Sequence, residues 1–400
     1  MSSLEQECGE AVGRLRAALI GLYDNVGADP ANPQDVARTF RINKTLTWNM
    51  AKLMQAGDGL AAVPHVPGNS SIERFLKATE TRGANKKVVD AVRDATREFE
   101  RVISVHVGDR ATLDLVIDGM TSGDGAGLEQ SRKRAYLGNS GIYGVQARAN
   151  LMCCFLAPNE SDPSQLDMVM LRGLLGVRRL RPTVRLPIFR TRQWSEAGQA
   201  IASEQWQPIE ENTNNPFLSR FNSGDVPEIE AVHAPGGTDY LIQPGPIGNR
   251  GAFDCFFGDM IRAGASRYRD EVDATGEFGV TVTAPTECVL FDIIAHKDLP
   301  FSLDAETFVY AHLYTGGQMD GQWDEASLLP IHQRANSLPG SPPAVATKQV
   351  PNYSEIHRYI YKRLGWNPSD FRGIRLEMKY PPLGSTIIQR FTLPESVNSH

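Results

Sequence analysis

The first 120 residues carry apolar side chains at three- and four-residue spacing almost throughout. Leu4, Cys8, Val12, Leu15, Leu19 and Leu22 form one stripe, which predicts a helix over residues 3–24 stopped by Gly27 and Pro30. Shorter helices are expected from Pro33 to Phe40 and from Lys44 to about Gln55. Ser70 and Glu73 have capping-box spacing and predict the start of another helix, with Ile72, Phe75 and Leu76 facing inward and Gly83 closing it. Asn85 is expected to cap the next helix, whose stripe is Val88, Val92, Phe99 and Ile103. Asp109 is expected to cap one that runs through Met120.

The pattern changes near residue 121. Thr121 to Gly127 holds three glycines, and residues 121–136 read as a linker with a basic cluster of Arg132, Lys133 and Arg134. Beyond Gly144, short apolar or alternating runs lie between Gly, Pro and Asn clusters. They predict strands at Val145 to Leu156, Met168 to Val177, Val184 to Phe189, Glu228 to Ala231, Gly279 to Thr283, Cys288 to Ile294, Phe308 to Tyr314, Ile374 to Met378 and Ile387 to Phe391. A late helix begins near Tyr353 and carries Ile356, Tyr359, Ile360 and Leu364. Residues 211–226, 234–251 and 337–352 read as long loops. The expected fold is α+β: a helical domain at 1–120, the linker at 121–136, and a larger β-rich α+β domain at 137–400 for ligand sensing or oligomerisation.

Residues 32–55, NPQDVARTFRINKTLTWNMAKLMQ, carry the most specific chemistry. Asn32 is suited to cap the first short helix, with Pro33 at its first position and Asp35 at the positive end of its dipole. Phe40 to Asn43 makes a turn, and Asn43 can cap the second helix. There Leu46, Met50, Leu53 and Met54 share an inner face, while Lys44, Thr45, Trp48, Asn49 and Lys52 share the outer one.

Two short helices, a tight turn and a basic outer face describe a helix-turn-helix, and this segment resembles that of bacterial transcriptional regulators. Ala37 fits the small residue at the helix crossing, and Ile42 the apolar residue after the turn. Arg41 stands where glycine is common, and Thr47 where an apolar residue is usual. The resemblance implies double-stranded DNA as partner, with Arg38, Asn43, Lys44, Thr45, Trp48, Asn49 and Lys52 as contacting residues, and a homodimer or higher homo-oligomer. Arg38 and Lys44 would hold phosphates, Asn43 or Asn49 would read adenine, and Lys52 would read guanine or meet a phosphate. Trp48 either stacks on a sugar or thymine methyl or packs inward against the first helix, the inward packing being the expectation.

Charge sharpens this picture. The chain of 400 residues has a formal net charge of -6, yet residues 36–56 contain Arg38, Arg41, Lys44 and Lys52 and no acid. A second acid-free stretch runs from Arg172 to Arg192. Within it Arg178, Arg179, Arg181 and Arg185 are candidates for an anion site or a second nucleic-acid surface, or for pairing with the acidic region Glu204 to Asp239.

Other chemistry is sparse. The five cysteines, including the vicinal pair Cys153–Cys154, lack CxxC spacing and fit buried thiols in a reducing cytoplasm. No phosphate loop, HExxH or GxSxG motif is present, so no catalytic residue, metal or cofactor is expected. Gly245, Gly248 and Gly251 read as loop, and Gly138 to Gly141 as a turn. His296 and His312 are expected to be hydrogen-bonded core histidines rather than a site built with Asp292 or Glu287. Tyr353, Tyr359, Tyr361 and Trp366 fit a packed helix. No apolar run is long enough to span a membrane, and the acidic first helix is not a secretory signal. An assembly protein with the helical third as a docking module, and an enzyme with an unrecognised site, are the alternative readings. The regulator reading allows a small-molecule effector of unknown identity.

Overall fold

The computed structural model describes residues 3–396 except 58, 122–125, 191–192, 195–199, 202–205, 212, 224–225, 227, 235–236, 271–273 and 312–324. The fold is α+β, with a helical N-terminal region followed by a larger sheet-rich one. The chain divides into two compact units between Leu128 and Glu129.

The helical unit comprises α1 (Ser3–Asn25), α2 (Pro33–Phe40), α3 (Lys44–Gln55), α4 (Gly59–Ala62), α5 (Asn69–Glu80), α6 (Lys86–His106) and α7 (Arg110–Thr121). The α1 stripe of Cys8, Val12, Leu15, Leu19 and Leu22 is buried in one core with Val89, Val92, Phe99 and Ile103 of α6. Asn85 accepts from Lys87 N–H at 2.9 Å, and Asp109 from Thr112 N–H at 2.8 Å, so both caps form. The expected capping box does not. α5 starts at Asn69 after Gly68, which places Ser70 inside the helix, and Glu73 instead pairs with Arg93 at 3.2 Å.

The expected linker also changes character. α8 (Ala126–Tyr143) runs through the basic cluster and through Gly138–Gly141, which is helix rather than turn. Tertiary contacts override the two glycines. Tyr136 is buried against the Tyr380 ring and donates to Gln146 Oε1 at 3.1 Å, and the Lys133 ammonium lies over the same Tyr380 ring.

The strands are β1 (Val145–Pro158), β2 (Gln165–Arg179), β3 (Leu186–Arg190), β4 (Gln193–Trp194), β5 (Ala200–Ile201), β6 (Gln207–Pro208), β7 (Ile229–Ala234), β8 (Gly237–Ile242), β9 (Phe253–Ser266), β10 (Thr275–Thr281), β11 (Thr286–His296), β12 (Glu306–Ala311), β13 (Asn336–Leu338), β14 (Phe371–Lys379) and β15 (Ser385–Thr392), with α9 (Tyr353–Leu364) between the thirteenth and fourteenth. A seven-stranded sheet has the order β13-β14-β11-β1-β2-β9-β6. Its β1–β11 pairing is parallel and its other pairings are antiparallel. β9 and β8 depart from the expected strands: Asp254, Asp259 and Arg262 interrupt the apolar pattern of the one, and Gly and Pro flank the other.

β1 explains its own near-continuous apolar run, because both of its faces are covered. Ala149, Leu151, Cys153 and Phe155 pack with Tyr353, Ile356 and Ile360 of α9. Met152, Cys154 and Leu156 point the other way, into a core with Phe278, Val280, Ile387 and Phe391 of the β10-β15-β12 sheet. The vicinal cysteines therefore belong to opposite faces, and all five cysteines are free and buried. A further apolar cluster joins Leu174, Cys255 and Phe257 to Ile188 and Ile242 of the β3-β8-β7 sheet. No described helix is long and apolar enough to cross a membrane.

Candidate nucleic-acid interface

α2 is short because its sequence stops it. Val36, Ala37 and Phe40 bury its inner face, and Arg41 then turns left-handed at φ 52°, ψ 45°. Ile42 N–H donates to Ala37 O at 3.1 Å and Arg41 N–H to Arg38 O at 3.4 Å, the paired bonds of a helix end that usually carries glycine. Asn32 does not cap the other end. Its amide donates to Asp29 Oδ2 at 2.6 Å instead.

Asn43 begins α3 in extended conformation, and its side-chain oxygen accepts from Thr45 N–H at 2.7 Å. Leu46, Met50, Leu53 and Met54 enter the core. Thr47, at a position suited to an apolar residue, is fully buried and donates its hydroxyl to Lys44 O at 2.9 Å, so burial leaves no orphan donor. Lys44, Thr45 and Lys52 are exposed and Asn49 is half-buried. Trp48 is 47% exposed, which corrects the inward packing expected of it: the buried positions around it are filled by Thr47 and Ala51. Arg38 is exposed but paired with Asp35 at 3.2 Å, so its charge is partly matched before any phosphate arrives.

A cleft of about 520 Å³ opens beside the start of α3, lined by Arg41, Asn43, Thr45, Asn49, Ser71 and Arg74 among others. Sequence reasoning missed Arg74. It lies a turn inside α5, where Nη2 donates to Ser71 Oγ at 3.2 Å, and only the tertiary packing brings it to this helix. The Lys52 charge is also felt nearby: the His65 imidazole is held below its ordinary value by partial burial and then by that ammonium.

Four arginines of the second basic stretch have partners within their own unit. Arg178 lies 3.8 Å from Glu287, and Arg185 pairs with Glu230. Arg181 donates to Gly141 O at 2.7 Å and to Ile142 O at 3.3 Å. Arg179 is 2% exposed and is held by the carbonyls of Val184 and Gln243. Arg185 thus meets a carboxylate of the acidic region and the other three meet a carboxylate or carbonyls of their own unit, while Arg181 and Arg185 stay exposed. Arg192 and His312 lie outside the described residues.

One buried cluster has the residue types of a catalytic site. His357 Nε2 is 3.8 Å from Cys153 Sγ, Tyr353 donates to Asp292 Oδ2 at 2.9 Å, and Arg375 bridges both Asp292 oxygens at 2.9 and 2.7 Å. Burial favours the uncharged forms of its thiol and imidazole. It pushes the Cys153 thiol well above its ordinary value, with Asp292 adding to the effect, and holds His357 down to about 3, with the Arg375 charge assisting. Asp292 is therefore a core residue and does not meet His296, which pairs with Asp298 at 3.4 Å. Among the described residues, no group of three or more His, Cys, Asp or Glu is placed to hold a metal ion.

No known protein family matches the chain, and no curated protein does. Among solved structures, a crystal structure from Parabacteroides distasonis described as a "putative protease" overlaps with a TM-score of 0.28 at 7% identity. The overlap covers 63% of this chain and 41% of that one, and so slight a likeness carries no argument about either.

Proposed function

We propose that the helical unit binds double-stranded DNA through α2 and α3, and that the chain is a sequence-specific transcriptional regulator acting as a dimer or higher oligomer. The sheet-rich unit then serves sensing or assembly. The observation that carries this reading is the outer face of α3. Lys44, Thr45, Trp48 and Lys52 stand exposed along one short helix whose other side is locked into the core.

Each residue has a chemical role in this reading. Lys44, with Arg41 and Arg74 at the adjoining cleft, meets phosphates, and the amide groups at the start of α3 add to the attraction. Asn43 is occupied by its cap, so Asn49 is the amide left to read adenine by two hydrogen bonds. Lys52 reads guanine or a phosphate. The indole of Trp48 lies on a sugar or thymine methyl.

Binding of the full chain to mixed genomic fragments, followed by fluorescence anisotropy, tests the reading. Replacing Lys44, Asn49 and Lys52 together by Ala removes preference among fragments while the fold persists. Wild-type affinity in that triple variant overturns the assignment of α3.

A further inference from the structure

We infer that the sheet-rich unit has a small-molecule binding site, independent of the DNA reading, for an uncharged, largely apolar compound carrying a carbonyl-type acceptor. The site is a cleft of about 680 Å³ on one face of the seven-stranded sheet, a size in the range of small-molecule pockets.

Three strands make its floor. Met152 of β1 lies opposite Arg172 of β2, and Arg172 lies opposite Phe257 of β9, so these three side chains form one row across the sheet. The next row pairs Asn150 with Leu174. The walls come from two different covering sheets, with Ile188 of β3 on one side and Gly279 to Thr281 of β10 on the other. The cleft thus lies at the seam between two apolar clusters, where neither covering sheet reaches across. β10 is the edge strand of its sheet, so part of its backbone hydrogen-bonding capacity faces away from β15.

The polar groups set the chemical class. Of the described residues lining the cleft, Arg172 alone is charged. Its guanidinium is matched by Asp259 on β9 at 3.2 Å, and Asp259 is only 17% exposed. A ligand carboxylate would set a second negative charge beside the largely buried Asp259 carboxylate, with one guanidinium to compensate both. A neutral carbonyl oxygen accepts a further guanidinium N–H with the ion pair intact, since the group has five donors. Asn150, 8% exposed with its amide 3.4 Å from Thr281 O, offers a second polar contact on the floor. Met152, Leu174, Ile188, Phe257 and Val282 provide the apolar surroundings.

The test uses prodan, an uncharged aminonaphthyl ketone whose emission moves to the blue in apolar surroundings. Titrated into the full chain, it shows saturable blue-shifted binding, and the corresponding aminonaphthyl carboxylate binds more weakly. Thr283→Trp, at an exposed lining position, fills the mouth and abolishes saturation. Thr281→Trp is the second blocking variant if the first does not melt like the wild type. Arg172→Met combined with Asp259→Asn removes the charge pair together and weakens the ketone about tenfold, without affecting the aminonaphthalene that lacks the carbonyl. Absence of saturable binding, binding unchanged in a folded blocking variant, or a preference for the carboxylate overturns the inference. None of these outcomes depends on whether the helical unit binds DNA.

Discussion

The side-chain oxygen of Asn43 lies 2.7 Å from the backbone nitrogen of Thr45 and accepts its hydrogen bond. The contact fixes where α3 begins, and with it which side chains face outward. Asn43→Ala is expected to destabilise the helical unit by about 1 kcal/mol, whereas Asn43→Ser retains most of the stability. Urea denaturation followed at a helical signal measures the difference. Equal stability in all three proteins shows that the cap contributes nothing.

Arg41 holds a left-handed conformation that costs a non-glycine residue about 1–2 kcal/mol. Glycine relieves that strain but adds freedom to the unfolded chain. Arg41→Gly is expected to stabilise the protein by about 0.5–1 kcal/mol net. Thermal melts read the sign. A lower midpoint shows that the arginine side chain contributes more through its contacts than its backbone costs.

His357 makes stability depend on pH. Its imidazole has an ordinary value of 6.5 and is held down to about 3 in the fold, by burial first and then by Arg375. The unfolded chain therefore takes up a proton that the folded chain refuses. The contribution of this group is complete above pH 6.5 and declines as pH falls toward 3, reaching a loss of about 2 kcal/mol by pH 5. Asp292, raised by burial, works in the opposite direction at the acidic end. Comparing wild type with His357→Gln in urea at pH 7 and pH 5 isolates the histidine. The variant has the shallower dependence, and parallel curves contradict the assignment.

Arg375 and Asp292 form a pair whose carboxylate is fully buried, and removing one partner is far worse than removing both. Arg375→Met is expected to cost about 3–5 kcal/mol, and adding Asp292→Asn recovers part of it. Chemical denaturation of the two variants makes the comparison. Additive losses show that the two side chains do not depend on each other.

The elements with clean periodicity are legible in the sequence alone. The stripe of α1, the caps at Asn43 and Asn85, and the strands around Cys153 and Ile293 all follow from spacing and capping chemistry. β9 is not, because Asp254, Asp259 and Arg262 break its pattern, and each of these charges has a partner across the sheet that sequence cannot show. α8 escapes for the same reason: its glycines and basic cluster suggest a linker, and its order comes from packing of Tyr136 and Lys133 on Tyr380. In the candidate interface, the outward set on α3 is readable at helical spacing. Trp48 is misread because an aromatic residue usually fills a core, and Arg74 belongs to another helix, 25 residues beyond Asn49 in the chain.

The salt dependence of DNA binding tests the central claim most directly. A face that neutralises phosphates releases counterions, so log affinity falls linearly and steeply with log salt concentration. The account predicts such a slope for the full chain, made shallower by about one phosphate contact per binding helix in Lys44→Ala. Affinity that does not respond to salt, or a slope that Lys44→Ala leaves unchanged, contradicts it.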